Sequence, residues 1–320
     1  MIKTRLTERF DLRYPIVQAP MAGAAGGKLA GAVSEAGGFG FIGGGYGDAD
    51  WINAEFKIAG NRAVGCGFIT WALRDTPHLL DQAIAAGARA IFLSFDDPSD
   101  FTPTVKDAGL PLFCQVQTRA QGKIAFDAGA DVIIAQGAEA GGHGGSRGTM
   151  SLVPELADIV RGSDTLLLAA GGIADGRGLA ASLMLGADGV LMGSRFWAAQ
   201  EANVPSGFHD AAKQATGDQT QRSTTVDIAR GRDWPDEYGI RVIPNAFSDE
   251  WDQKPDALRA DKAAKDKWNA AFAAGDADIA NAIVGEAVGL IHDVRPAAEI
   301  LASVSLEAEA LLNSTDFVSK

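Results

Sequence analysis

Eight short apolar runs, each followed by a stretch with helical spacing and closed by glycine, predict an α/β protein with the (β/α)8 TIM barrel architecture. The runs are unbroken rather than alternating, as expected of parallel strands covered on both faces. The alternation repeats within the first 200 residues or so, which is the spacing of a barrel. A doubly wound open sheet is the alternative, but it needs a reversal of strand order that nothing in the sequence marks.

The first strand is expected over 16–19, ending in Pro20-Met21-Ala22-Gly23. A helix follows over 28–36, closed by Gly37-Gly38, and the second strand covers 39–42. A helix over 50–58 leads to strand 63–69, and a helix over 76–86 closed by Gly87 leads to strand 90–95. A helix near 101–108 precedes strand 111–115. The helix 118–128 is capped by Thr118 and ended by Gly129, and strand 132–135 follows. A helix near 154–161 leads to strand 165–170, and a helix over 176–185 to strand 189–192. The recurring Ala-Gly-Ala-Asp and its variants before a strand are helix C-caps, a local structure signal only.

After Phe196 the composition shifts toward Trp, Gln, Lys and Asp, with polar helical stretches such as 262–274. The expected division is a (β/α)8 barrel unit with the cofactor site over 1–200, a small, mostly helical cap or insertion over 201–283, and a return segment over 284–320 that completes the barrel. The amphipathic stretch 294–312 is read as the eighth barrel helix, and 314–320 as a frayed tail.

At 320 residues and 47% hydrophobic content the chain can bury one large core with an appendage. Its net charge of −13 argues against wrapping nucleic acid or lying on an anionic membrane. Cys66 and Cys114 each sit inside an apolar run, so they are read as reduced core residues rather than a disulfide or metal pair. The first residues contain no apolar leader and no stretch approaches bilayer length, so a cytoplasmic protein is expected. His78, His143, His209 and His292 show no metal-ligand spacing, and no metal is expected.

The stretch 131–148, DVIIAQGAEAGGHGGSRG, carries the strongest chemical signal. A buried strand stops at Gln136-Gly137, and the loop after it holds Glu139, bare glycines and one imidazole, His143. Barrels place their chemistry in such loops, and a flat ligand can lie against the glycine backbone. Two further loops, 170–176 (AGGIADG) and 192–196 (MGSRF), occupy the last two barrel positions, where backbone N–H groups and a helix N-terminus commonly bind phosphate. Gly172 and Gly193 permit close approach and Ser194 adds a hydroxyl, while Arg195 either supplies charge or pairs with an acid elsewhere. A phosphorylated planar cofactor fits this pattern, and flavin mononucleotide (FMN) is the candidate. No dinucleotide fingerprint, nucleophile elbow or pair of loop carboxylates competes with it, apart from Asp96-Asp97, which is read as a turn cap.

The segments APMAG (19–23), SEAGGFGFIGGG (34–45), QGAEAGGHGG (136–145), AAGGIADGRGLAASLMLGADGVLMGSRF (169–196) and VGEAVGLIHDVRPAAEI (284–300) together resemble the nitronate monooxygenases, formerly called 2-nitropropane dioxygenases. The resemblance spans nearly the whole chain. The single motifs are shared with FMN-dependent enoyl-acyl-carrier-protein reductases and some NADH:quinone reductases. It implies FMN at the barrel mouth, with Ala19, Pro20 and Met21 against the isoalloxazine and Gln115 and Gln136 bonded to the ring or ribityl chain. Gly141, Gly142, Gly171, Gly172, Gly193 and Ser194 would bind ribityl and phosphate, and His143 matches the catalytic histidine. The implied reaction converts a nitronate and O2 into a carbonyl compound and nitrite. His143 would take the α-proton of a nitroalkane or orient the nitronate anion.

Many relatives carry Asn where this chain has Gly67, so that flavin contact is in doubt. Trp71 either shapes the pocket or packs at the rim, and Glu286 either touches substrate or starts a helix. Two other functions stay open: an NAD(P)H-dependent FMN reductase of quinones or enoyl thioesters, and a non-catalytic phosphate-ligand-binding barrel. The expected partners are small molecules, with a homodimer left open.

Overall fold

The computed structural model describes residues 1–314. The expected tail therefore lies, beyond Ser314, outside the described residues. In chain order the strands are β1 (Ile16–Gln18), β2 (Gly40–Gly45), β3 (Val64–Ile69), β4 (Ile91–Ser94), β5 (Leu112–Val116), β6 (Val132–Gln136), β7 (Gly142–Gly144), β8 (Leu166–Ala170) and β9 (Gly189–Met192). All but β7 belong to one eight-stranded sheet in which spatial neighbours follow sequence order, with β1 and β2 at its two edges. Every pairing in it is parallel.

A parallel bridge between Val17 and Phe39 joins those edges. The sheet is a closed barrel, and the doubly wound alternative is excluded. Because β1 has only three residues, a side chain completes the seam. Gln18 is fully buried; its Oε1 accepts from the Phe41 N–H at 3.1 Å and its Nε2 donates to the Phe41 carbonyl at 3.2 Å. One amide thus stands in for two absent ladder bonds.

Side chains alternate along each strand. Phe41, Phe92, Phe113, Ile134, Leu168 and Leu191 fill the barrel interior, and Ile42, Cys66, Leu93, Cys114, Ile133 and Leu167 face the helices. Both faces are apolar, which explains the unbroken runs. Both thiols are buried in the outer layer, where desolvation pushes Cys66 up to about 12 and Cys114 also upward, so neither is reactive. The helix Arg5–Phe10 adds Leu6 and Phe10 to the interior cluster and closes the end where the strands begin.

The helix Ala297–Leu312 packs on both Gly176–Met184 and Gly27–Ala36, so it occupies the eighth helical position between the last strand and the first. The helix expected from Pro154 begins instead at Thr149. Glu139 accounts for the earlier start: its carboxylate accepts from the Thr149 N–H at 3.0 Å and from the Thr149 hydroxyl at 2.9 Å. That cap comes from ten residues upstream rather than from the residue before the helix, so no local capping pattern shows it.

Between the last strand and the final helix lie helices Ser206–Gln214, Thr225–Ala229, Ala246–Trp251, Pro255–Ala260 and Lys262–Ala274. They share a core of their own around Trp268, Phe208, Val226 and Leu258. The same stretch contains β10 (Gln221–Ser223) and β11 (Gly239–Val242), which were not foreseen. These strands are antiparallel, and β11 pairs in turn with β7, setting Ile240 opposite His143. Strands of three or four residues carry too little periodicity to be read from sequence. Among the described residues no helix is long and apolar enough to cross a membrane.

Candidate active site

The C-terminal ends of the barrel strands open into a cavity of about 550 Å³. Its wall includes Ala19, Pro20 and Met21 after β1, Gln115 in β5, Gln136 in β6 and Gly141, Gly142 and His143 in the next loop. Gly171 and Gly172 after β8 and Gly193 and Ser194 after β9 complete the set. His143 and the residues assigned to FMN by the resemblance are thus brought to one cavity, whereas the alternative candidates Arg195, Trp71 and Glu286 are not.

His143 is held on several sides. As part of β7 it pairs with β11, and the Gln136 amide donates to the His143 carbonyl at 3.0 Å. Gln136 in turn accepts from Gln117 at 2.8 Å, so this amide is engaged within the protein. The Gln115 side chain forms no such bond among the described residues and faces the cavity free. The imidazole Nε2 lies 2.9 and 3.0 Å from the two carboxylate oxygens of Asp227, and both residues are buried, at 9% and 3% exposure. A carboxylate only accepts, so Nε2 carries the proton and the lone pair sits on Nδ1. Burial holds the His143 pKa below its usual 6.5; Asp227 opposes this, while Arg230 and Arg222 reinforce it. The ring is therefore neutral near pH 7 and able to accept a proton.

Trp234 stacks on the imidazole, with ring centroids 3.4 Å apart and planes 8° from parallel. Its Nε1 donates to the Tyr46 hydroxyl at 2.7 Å. Phe95 and Tyr238 pack edge-on against Trp234. Phe95 has φ of +63° and Asp96 a φ of +156°, conformations unfavourable for side chains of their kind. Arg74 bonds the carboxylates of Asp96 and Asp100, fixing a turn that turns Phe95 toward this aromatic group. Trp71 also packs against Trp234, at 5.3 Å, and is absent from the cavity wall. It therefore acts by rim packing. Arg222 holds the loop before His143, donating to the carbonyls of Ala138, Gly142 and Gly239. Burial and Arg241 lower its pKa to about 10, which leaves it charged.

At the other end of the cavity the glycines differ in their reasons. A Cβ on Gly141 would fall 2.4 Å from the Gly285 nitrogen, so close loop packing requires glycine there. A Cβ on Gly193 would meet nothing nearer than 3.8 Å. Protein packing does not require glycine at 193, and its bareness serves whatever fills the cavity. The N–H groups of Gly172 and Gly193 donate to no acceptor within the described protein. The Ser194 oxygen accepts from the Gly285 N–H at 2.9 Å, leaving its own proton to be donated.

The helix Gly176–Met184 does not offer its N-terminus as expected. Asp175 caps Arg177 and Gly178, and Glu307 accepts from the Gly176 N–H at 2.8 Å. Arg195 is buried and paired with Asp293 at 2.7 Å, away from the cavity wall. Glu286 pairs with Arg241 at 3.0 Å and is likewise off the wall. Gly67 lies on the wall, where a Cβ would sit 2.4 Å from the Pro20 ring. No larger residue fits at 67 while Pro20 holds its place.

Asp227, Trp234, Tyr46 and Arg230 were not read from sequence. Asp227 sits in an apolar five-residue helix far along the chain, and no local spacing ties it to His143. Only a repeated pairing of the two positions across relatives could have flagged it.

A closed parallel barrel with a glycine-walled mouth and a His–Asp pair buried beside it defines a TIM barrel protein with its candidate site at the C-terminal ends of the strands. The sequence pattern of the nitronate monooxygenase family matches residues 3–64 and 71–307, and the chain belongs to that family. A nitronate monooxygenase of Neurospora crassa is 33% identical over 92% of this chain and 89% of its own length. Among solved structures, FabK from Thermotoga maritima is similar with a TM-score of 0.85 and 28% identity, covering 98% of both chains. A nitroalkane oxidase from Streptomyces ansochromogenes is similar with a TM-score of 0.78 and 27% identity, covering 97% of this chain and 100% of its own.

Proposed function

We propose that the protein is an FMN-dependent nitronate monooxygenase that oxidises alkyl nitronates, such as propionate 3-nitronate, with O2 to a carbonyl compound and nitrite. The observation that carries this reading is the buried His143 on the wall of the glycine-lined cavity, backed by the carboxylate of Asp227. The remaining wall fits FMN. The cavity lies within the usual range for small-ligand sites, roughly 300–1,000 Å³. Gly172, Gly193 and Ser194 offer unused donors for the phosphate end. Gln115 offers a free amide and Ala19, Pro20 and Met21 a flat apolar face for the ring end. FMN would supply the electron-accepting group and the route of electrons to O2.

The protein's own part is to position charge and move one proton. Neutral His143 presents the Nδ1 lone pair to the α-proton of a nitroalkane. With a substrate already ionised, no proton need be taken; the nitronate anion beside the ring favours its protonation, Asp227 stabilises the imidazolium, and the ring then orients the nitronate. Trp234 blocks one face of the ring, which confines the substrate to the ring edge and the opposite face.

The test is anaerobic mixing of the FMN-loaded protein with propionate 3-nitronate and, separately, with NADH, followed by flavin absorbance. Bleaching by the nitronate alone and O2 uptake in air are expected, and His143→Ala should lower the rate about 10²–10⁴-fold. Bleaching by NADH alone, with no O2 uptake on the nitronate, would refute the reading in favour of a reductase.

A further inference from the structure

The cavity wall beside His143 holds a cation and a hydroxyl with no acid to meet them. Arg230 lines the cavity, half-buried, directly after the helix Thr225–Ala229 that carries Asp227. Its guanidinium forms no ion pair or hydrogen bond among the described residues, and lies 5.7 Å from the centre of the Tyr46 ring. Asp227, three residues earlier, commits both oxygens to His143. The chain has 41 acidic residues against 28 basic ones, so carboxylates are in surplus. Apart from that contact with the Tyr46 ring face, this half-buried guanidinium has no acid among the described residues to offset its lost hydration, and a ligand anion would supply one.

Tyr46 lines the same wall. Its oxygen already accepts from Trp234, so its own proton is left to donate, and burial raises its pKa and keeps that proton in place. Trp234 is stacked on His143 and bonded to Tyr46, so the hydroxyl stands one indole's breadth from the imidazole. Arg232, exposed, lies 4.2 Å from the other groups' shared landmark, the Tyr46 ring centre, and adds positive potential at the mouth.

We propose that Arg230 and Tyr46 form an anion subsite for a carboxylate carried by the substrate a few bonds from its reacting carbon, and that they set the preference for nitronates that carry a carboxylate over nitronates that carry none. The guanidinium matches a carboxylate with two parallel hydrogen bonds, and the tyrosine hydroxyl adds a third. The short span to His143 places the anion on the same small molecule as the reacting carbon rather than at the end of a long carrier arm. This inference rests on the nitronate reading of the cavity.

The test compares kcat/KM for propionate 3-nitronate and for the nitronate of 1-nitropropane, which lacks the carboxylate, using the FMN-loaded wild type, Arg230→Gln, Arg230→Lys and Tyr46→Phe. Binding of succinate, an unreactive dicarboxylate, is measured alongside by calorimetry. The ratio of kcat/KM for the carboxylated nitronate to that for the carboxylate-free one should fall at least about 30-fold in Arg230→Gln. It should recover in part in Arg230→Lys, which keeps the charge and loses the fork, and fall about 3–10-fold in Tyr46→Phe. Where the nitronates are oxidised the ratio decides, and an unchanged ratio in Arg230→Gln overturns the subsite. If the wild type oxidises neither nitronate, the nitronate reading falls and succinate decides: binding lost in Arg230→Gln upholds the subsite, and equal binding overturns it.

Discussion

Replacing Asp227 by Asn changes one atom of the His143 support and should alter both the rate and its pH dependence. The pair is buried and its contacts are 2.9 and 3.0 Å, so the lost interaction is a charge-assisted hydrogen bond in a dry setting. Such bonds contribute about 1.5–3 kcal/mol, which corresponds to roughly one to two pKa units. The sign follows from the surroundings. Burial, Arg230 and Arg222 all hold the His143 pKa below 6.5, and Asp227 raises it. Removing that anion lowers the pKa further, so the acid limb of the kcat/KM profile should move to lower pH by about one to two units. The rate should fall as well. Asparagine can donate as well as accept, and the donating orientation drives the imidazole proton onto Nδ1, where the base is needed. A loss of about 10²-fold is expected with nitroethane, which must be deprotonated, and a smaller loss with ethyl nitronate, which need not be. The assay is O2 uptake across pH 5–9 with both forms, prepared separately because they interconvert slowly. An acid limb that stays in place or moves upward would refute this account, as would equal losses on the two forms. Asp227→Glu, which keeps the charge, should recover part of the nitroethane rate.

Two further outcomes follow from the walls of the barrel. Gly193→Val should leave the melting temperature close to that of the wild type, since a Cβ there meets nothing nearer than 3.8 Å, but should abolish FMN retention, read from the 450 nm region after desalting. Retained flavin at wild-type occupancy would show that the cofactor does not lie against Gly193. Gln18→Leu should destabilise the apoprotein by about 2–5 kcal/mol in urea melts, because the Phe41 N–H and carbonyl both lose their partner inside the core. A loss under about 1 kcal/mol would mean that the seam closes without the amide.

The barrel was legible because its signals are local. An unbroken apolar run reports a strand covered on both faces, and a glycine after a helix reports a C-cap. Both repeat often enough for the architecture to follow. The Thr118 cap was read from its own position, and the structure shows it bonded to Gln121 in a capping box. The cavity wall was equally accessible, since in a barrel the loops after successive strands must converge on one end. His143, Gly172, Gly193 and Gln115 could therefore be grouped before their distances were known.

What the tertiary structure decided lies wherever two distant segments meet. Glu139 caps a helix beginning ten residues later, Gln18 closes a seam with Phe41, and Arg195 turns from the cavity to Asp293. The β7–β11 pairing brings His143 to the stretch that supplies Asp227, Arg230 and Trp234. No periodicity encodes such meetings, because each depends on the path of the chain rather than on spacing within it. The sequence by itself determined the barrel, the glycine-lined mouth and the single imidazole. Only the folded chain decided which acid sets that imidazole's tautomer, which indole covers it and which arginine stands beside it without an acid, since those are consequences of packing between segments as far apart as His143 and Asp227, 84 residues along the chain.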